Sequence, residues 1–189
     1  MGVSLMIEST ALFFKEVGKE GLRKNSFDLP SFADKIELEK INSFEESDKP
    51  LYEECRNEEL KGEKHPLTSI DFERKMIELP NGREIIGVFP EFDTSFEMKI
   101  DEVLYQESDK KQFDIANEKL KQTVEKDAEL RNKFTEEQIE QILEGETPDG
   151  YTWHHSEESG VMQLVDSQIH AKTGHTGGRF IWGGGSENR

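Results

Sequence analysis

Residues 150–182 read GYTWHHSEESGVMQLVDSQIHAKTGHTGGRFIW and hold four of the chain's five histidines: the doublet His154-His155, then His170 and His175. Neutral imidazole is the commonest transition-metal ligand and the side chain best suited to moving protons near neutral pH, so adjacent histidines can divide the two jobs. Tyr151 to His155 has strand character, Ser156 to Gly160 turn character and Val161 to Val165 strand character again. This predicts a hairpin with the doublet at the end of its first strand. Asp166 or Ser167 can cap a short helix, SQIHAKT, which Gly174 ends, and His170 on that helix can face the doublet. His175 does not follow from a continuous helix, because five residues turn it about 140° away from His170. A left-handed Gly174 would fold it back.

Working upstream, Thr135 and Gln138 have capping-box spacing before the stripe Ile139, Ile142 and Leu143, and Gly145 is placed as a C-cap. Before it, Ser108 is the expected N-cap of DKKQFDIANEKLKQTVEKD, with Phe113, Ile115, Leu120 and Val124 as its apolar positions, and a short helix AELRNKF follows. FERKMIELPNGREIIGVFP reads as two strands around Pro80-Asn81-Gly82, with Asn-Gly supplying the positive φ angles of a tight turn. A third strand near Ser95 to Ile100 is expected to extend that sheet. The spacing of Ile7, Leu12, Phe13, Phe14, Val17 and Leu22 predicts a helix over 7–23, and the charged stretch from Asn25 to Lys64 reads as a linker or wrapping segment. The domain division expected is therefore 1–64 and 65–189.

Composition limits the alternatives. One cysteine, Cys55, excludes an internal disulfide and a Cys-based zinc knuckle. No stretch approaches the ~20 apolar residues of a membrane span, and no removable secretion signal is expected at the start. The net charge of −17 argues against a polyanionic substrate until its distribution is considered. Residues 151–189 carry Lys172, Arg179 and Arg189 against Glu157, Glu158, Asp166 and Glu187, a net −1, so −16 lies in residues 1–150. One bound divalent cation would make the histidine segment locally positive. Glu157 and Glu158 are expected to solvate the turn, Trp153 to anchor a core, and His65 to be structural or exposed.

WHH, MQLVDSQIH and GHTGG together resemble the WHH branch of the HNH/endonuclease VII superfamily, the ββα-metal nucleases that include colicin-type DNases and many polymorphic toxins. The longer stretch ETPDGYTWHHSEESGVMQLVDSQIHAKTGHTGG is similar to the carboxy-terminal toxin domains of contact-dependent or secreted effectors, often of the LXG type. HPLTSIDFERKMIELPNG and GVFPEFD extend the likeness upstream. The resemblance implies an α+β fold with a ββα-metal core over 147–185, preceded by helices and a small antiparallel sheet. It implies His154, His170 and His175 as metal ligands, the last as ligand or phosphate contact, and His155 as the general base. Gln163 stands where the strict pattern has an asparagine that fixes the loop carrying the base, and Ser156 replaces a further histidine of the WHH branch.

Phosphodiester hydrolysis needs an activated water, neutralisation of charge on the phosphate and stabilisation of the leaving oxygen. Imidazole ligands suit Zn²⁺, Ni²⁺, Co²⁺ or Mn²⁺, and a site open to water also accepts Mg²⁺. Arg179, after Gly177-Gly178, is the candidate phosphate clamp, and Lys172 is a weaker one. The leading expectation is a metal-dependent endonuclease toxin acting on DNA, with RNA as the alternative substrate. A non-catalytic zinc-stabilised interaction module is the alternative of a different class. The resemblance further implies a cognate immunity protein, export within a specialised effector and action in the cytoplasm of a target bacterium. An acidic toxin would meet its immunity protein through a local patch or apolar contacts rather than by global charge steering.

Overall fold

The computed structural model describes residues 50–185; the helix expected over 7–23 and the charged segment up to residue 49 lie outside them. Two small three-stranded sheets organise the described chain. The first contains β1 (Leu51–Tyr52), β2 (Asp71–Glu78) and β3 (Glu84–Glu91) in the order β1-β3-β2. β2 and β3 form an antiparallel hairpin from Asp71↔Glu91 to Glu78↔Glu84, and β1 lies parallel to β3. β3 is covered on both faces, which explains its unbroken apolar run. Ile85 and Phe89 pack with Cys55 and Ile77, and Val88 packs with Ile70 and Phe72. In the hairpin loop only Gly82 has a positive φ, 78°. Asn81 instead accepts the Arg83 N–H through Oδ1 at 3.1 Å, and the loop runs over residues 79–83 between the paired Glu78 and Glu84.

The second sheet contains β4 (Thr94–Lys99), β5 (Tyr151–His155) and β6 (Val161–Asp166), all antiparallel, in the order β4-β6-β5. β4 is the strand expected near residues 95–100, but it does not extend the first hairpin. Both edges of β3 are already taken by β1 and β2, and β4 pairs with β6 through Phe96↔Leu164 and Met98↔Met162.

Helices α1 (Asp109–Val124), α2 (Ala128–Arg131) and α3 (Glu136–Glu144) precede β5, while α4 (Ser167–Lys172) and α5 (Gly178–Ile181) follow β6. Ser108 caps α1, and Thr135 with Gln138 forms the capping box of α3, which ends at Gly145 with φ 85°. Leu120 and Val124 of α1 and Ile139 and Ile142 of α3 pack under Trp153, Met162 and Leu164. The buried face of α1 also includes Gln112 and Asn117, whereas Phe113 and Ile115 are only partly buried. Asn117 Oδ1 accepts the Trp153 indole N–H at 2.7 Å, which satisfies a donor that would cost about 1–3 kcal/mol if buried unpaired. Trp153 is thus the core anchor expected.

The architecture is mixed α+β with small sheets, and β5, β6 and α4 form a strand-turn-strand-helix unit compatible with a ββα nuclease fold. Among the described residues no helix is long and apolar enough to cross a membrane.

Candidate metal centre and general base

Successive residues of a strand point to opposite faces, and the end of β5 uses this to separate the doublet. His154 turns toward α4 and the loop after it, where it meets His170 and His175. One ring nitrogen from each of the three lies within 4.8 Å of the others. His154 Nδ1 and His170 Nε2 are 3.2 Å apart, close to the roughly 3.3 Å expected of two nitrogens on one tetrahedral ion. His175 Nδ1 donates to the Thr173 carbonyl at 2.7 Å, which leaves Nε2 as its ligand atom. Phe92, after β3, lies against all three rings with centroids 4.9–5.4 Å away.

All three imidazoles are held neutral. Burial, followed by the neighbouring His175, His170, His155 and Lys75, pushes His154 well below the ordinary value of 6.5. Burial and then His175 take His170 down to about 4. Burial also lowers His175; Arg56 adds to that, while the Thr173 carbonyl and Glu157 oppose it. Three neutral imidazoles form a good donor set for a divalent transition metal, and three protein ligands leave a position for water or substrate.

His175 reaches the cluster by a different turn from the one expected. Gly174 is absent from the left-handed residues; the helix stops at Lys172, and Thr173 (φ −90°, ψ 91°) redirects the chain. Gly174 matters for space, because a Cβ there would lie 2.5 Å from Arg56 Nε.

His155 faces α1. Its Nε2 is 2.7 Å from Gln112 Oε1, and the Gln112 amide nitrogen donates to the carbonyls of Leu104 and Tyr105 at 2.7 and 3.0 Å. Those carbonyls only accept, so the amide cannot be flipped, and Oε1 must face the histidine. His155 therefore carries its proton on Nε2, and Nδ1 keeps the basic lone pair. Gln112 escaped sequence reasoning because a helical glutamine reads as solvated. The signal was its four-residue spacing from Ala116, Leu120 and Val124, which places it on the buried stripe.

Two expected site residues make contacts other than those expected. Gln163 pairs with His154 across the sheet, but its amide donates to Glu97 at 2.8 Å and does not reach His155, because strand alternation turns it to the other face. The side chain that meets the His155 ring is Gln112. Arg179 is only 4% exposed and is not an open phosphate clamp. Its guanidinium donates to the Tyr105 and Glu107 carbonyls and to Gln112 Oε1 at 2.9–3.3 Å, with Nε 2.9 Å from Asp109. Arg179 thus braces the wall behind His155. Glu157, expected in solvent, is buried and ion-paired to Lys75 at 2.6 Å. Trp182 is buried, donating to the Ser156 carbonyl at 2.8 Å, whereas Phe180 is exposed.

Both faces of the β5 end open onto one cleft of about 540 Å³, whose walls include the four histidines, Phe113, Phe180 and Arg56. Arg56 is exposed, and among the described lining residues it and Arg179 are the basic ones.

No curated protein and no solved structure matches this chain. A family model described as the DNase/tRNase domain of colicin-like bacteriocin matches residues 81–177, just over half of the chain, from the loop of the first hairpin through the three-histidine cluster. This chain belongs to that family and is a nuclease toxin domain.

Proposed function

We propose that this domain is a metal-dependent endonuclease of the HNH type, WHH branch, which hydrolyses phosphodiester bonds of DNA. The observation that carries the reading is the division of the doublet: His154 joins His170 and His175, while the next residue turns to α1 and is held there by Gln112 through Nε2. A divalent ion bound by His154, His170 and His175 would neutralise charge on the scissile phosphate and stabilise the departing oxygen. His155 Nδ1 takes the proton of the attacking water. Gln112 holds the ring in that tautomer and Arg179 with Asp109 supports Gln112 from behind. Arg56, exposed in the same cleft, contacts substrate phosphate in place of Arg179.

RNA is the second reading, because the family description covers both DNase and tRNase domains. Supercoiled plasmid and tRNA, each incubated with the protein with and without EDTA, separate the two. Metal-dependent plasmid cleavage is expected, and cleavage of neither substrate would refute the proposal. A closed structural zinc site is disfavoured, since such sites take four protein ligands and are commonly rich in cysteine.

Membership of a toxin family leads us to infer a cognate immunity protein, export within a larger effector of the LXG kind and action in the cytoplasm of a target cell. For the domain division, we group residues 51–64 with the nuclease unit, because β1 pairs with β3 and Cys55 lies in its core.

A further inference from the structure

The loop that carries His175 has little structure of its own. α4 stops at Lys172, α5 does not begin until Gly178, and Thr173–Gly177 runs between them without a regular element. Its polar groups are instead taken up by a segment more than a hundred residues upstream. Asn57 Nδ2 donates to the Gly174 carbonyl at 2.5 Å. The backbone N–H of Arg56 donates to Thr176 Oγ1 at 3.0 Å. Thr173 Oγ1 reaches Thr68 Oγ1 at 2.7 Å, with the Ile169 carbonyl as a second acceptor for the same hydroxyl proton. Thr68 Oγ1 in turn lies 3.0 Å from Nδ1 of the buried His65.

We propose that residues 56–68 are a clasp that holds the 173–176 loop and so positions His175 as the third ligand; this rests on the metal-centre reading above. The contacts fall on both sides of His175 in sequence, at 173, 174 and 176, so the ring between them has little freedom. Its own Nδ1 is tied to the Thr173 carbonyl, which makes the placement of Thr173 the placement of Nε2. Asn57 adopts φ 64°, a left-handed conformation uncommon outside glycine, and that conformation accompanies the bond from its amide to Gly174. None of Arg56, Asn57, His65 and Thr68 lies within the residues matched by the family, 81–177. The chain therefore completes its metal centre with residues from outside the matched span. Groups that orient metal ligands from behind typically contribute ten- to a hundred-fold in metal affinity.

The test uses the full chain and Zn²⁺ or Co²⁺ titrated calorimetrically, with Co²⁺ absorption as a readout of ligand number. Asn57→Gly keeps the left-handed backbone and removes the amide, and Thr68→Val removes the hydroxyl from the other side. Each is expected to weaken metal binding by about ten-fold or more, toward the affinity of His175→Ala, with Thr68→Ser restoring it and circular dichroism unchanged. Should Asn57→Gly fail to fold, Thr68→Val decides alone. Wild-type affinity and Co²⁺ spectrum in the clasp variants, while His175→Ala binds weakly, would overturn the clasp. If the wild-type chain binds no metal at all, it is the metal-centre reading itself that fails.

Discussion

Gln112 Oε1 lies 2.7 Å from His155 Nε2, and the Gln112 amide nitrogen is anchored on two backbone carbonyls, so one α1 side chain decides which nitrogen of the histidine is basic. Gln112→Leu fills similar space but takes the amide donor from the Leu104 and Tyr105 carbonyls, of which Tyr105 keeps Arg179, and removes the acceptor that faces His155 Nε2. Stability should fall by about 1–3 kcal/mol, read from urea unfolding. Cleavage should fall on the order of a hundred-fold as the base loses its tautomer and orientation, with metal affinity little changed. An undiminished rate would mean that Gln112 only fills space.

Acid should destabilise the metal-free protein in a defined window. Burial holds His170 near 4 and lowers His154 and His175 below 6.5 in the folded state. Each folded-state value lies below its unfolded one, so the unfolded chain takes up protons first as the pH falls. The stability tied to these groups is complete above about 6.5 and is lost as the pH falls from there toward about 4. Lys75 and Arg56 act in the same direction, while Glu157 opposes them at His175. Thermal unfolding at stepped pH measures this, and a Tm independent of pH across that window would contradict it.

Metal should reverse much of that loss. Binding to the folded chain alone raises Tm with metal concentration, by about 2.7 kcal/mol of stability at a hundred times Kd. His170→Ala should abolish most of the rise, whereas His155→Ala should keep it. Equal responses from the two variants would mean that the doublet is not divided as described.

How far the site could be read from sequence depended on the range of the contacts involved. The hairpin of β5 and β6, the Thr135-Gln138 capping box and the convergence of His154 with His170 rest on neighbouring residues, and periodicity and capping report them. Gln112 was hidden because a helical glutamine reads as solvated and its partner His155, 43 residues further on, becomes a neighbour only once α1 packs on β5. Arg179 was misread for a related reason. A Gly-Gly-Arg run suggests an exposed clamp, yet the guanidinium is captured by carbonyls of residues 105 and 107, which no local pattern places beside it. The choice of β6 rather than β3 as partner for β4 is likewise decided by which edges are already occupied.

Two glycines around the loop separate substrate contact from packing. A Cβ on Gly178 would press onto the Ser156 carbonyl oxygen and Trp182 Nε1, both buried and bonded to each other. Gly178→Ala should therefore destabilise by about 1–3 kcal/mol in urea unfolding. A Cβ on Gly174 meets the flexible Arg56 side chain, which can move aside. Gly174→Ala should leave stability nearly intact and raise KM for plasmid, and Arg56→Ala should raise it likewise. Unchanged KM in both variants would remove Arg56 from the substrate site.

Cleavage by His155→Ala, measured on supercoiled plasmid beside a calorimetric metal titration of the same preparation, tests the division of the doublet most directly. The expected result is a loss of cleavage of about 10²–10⁴-fold with metal affinity retained. Cleavage at the wild-type rate would contradict the assignment of His155 as the base.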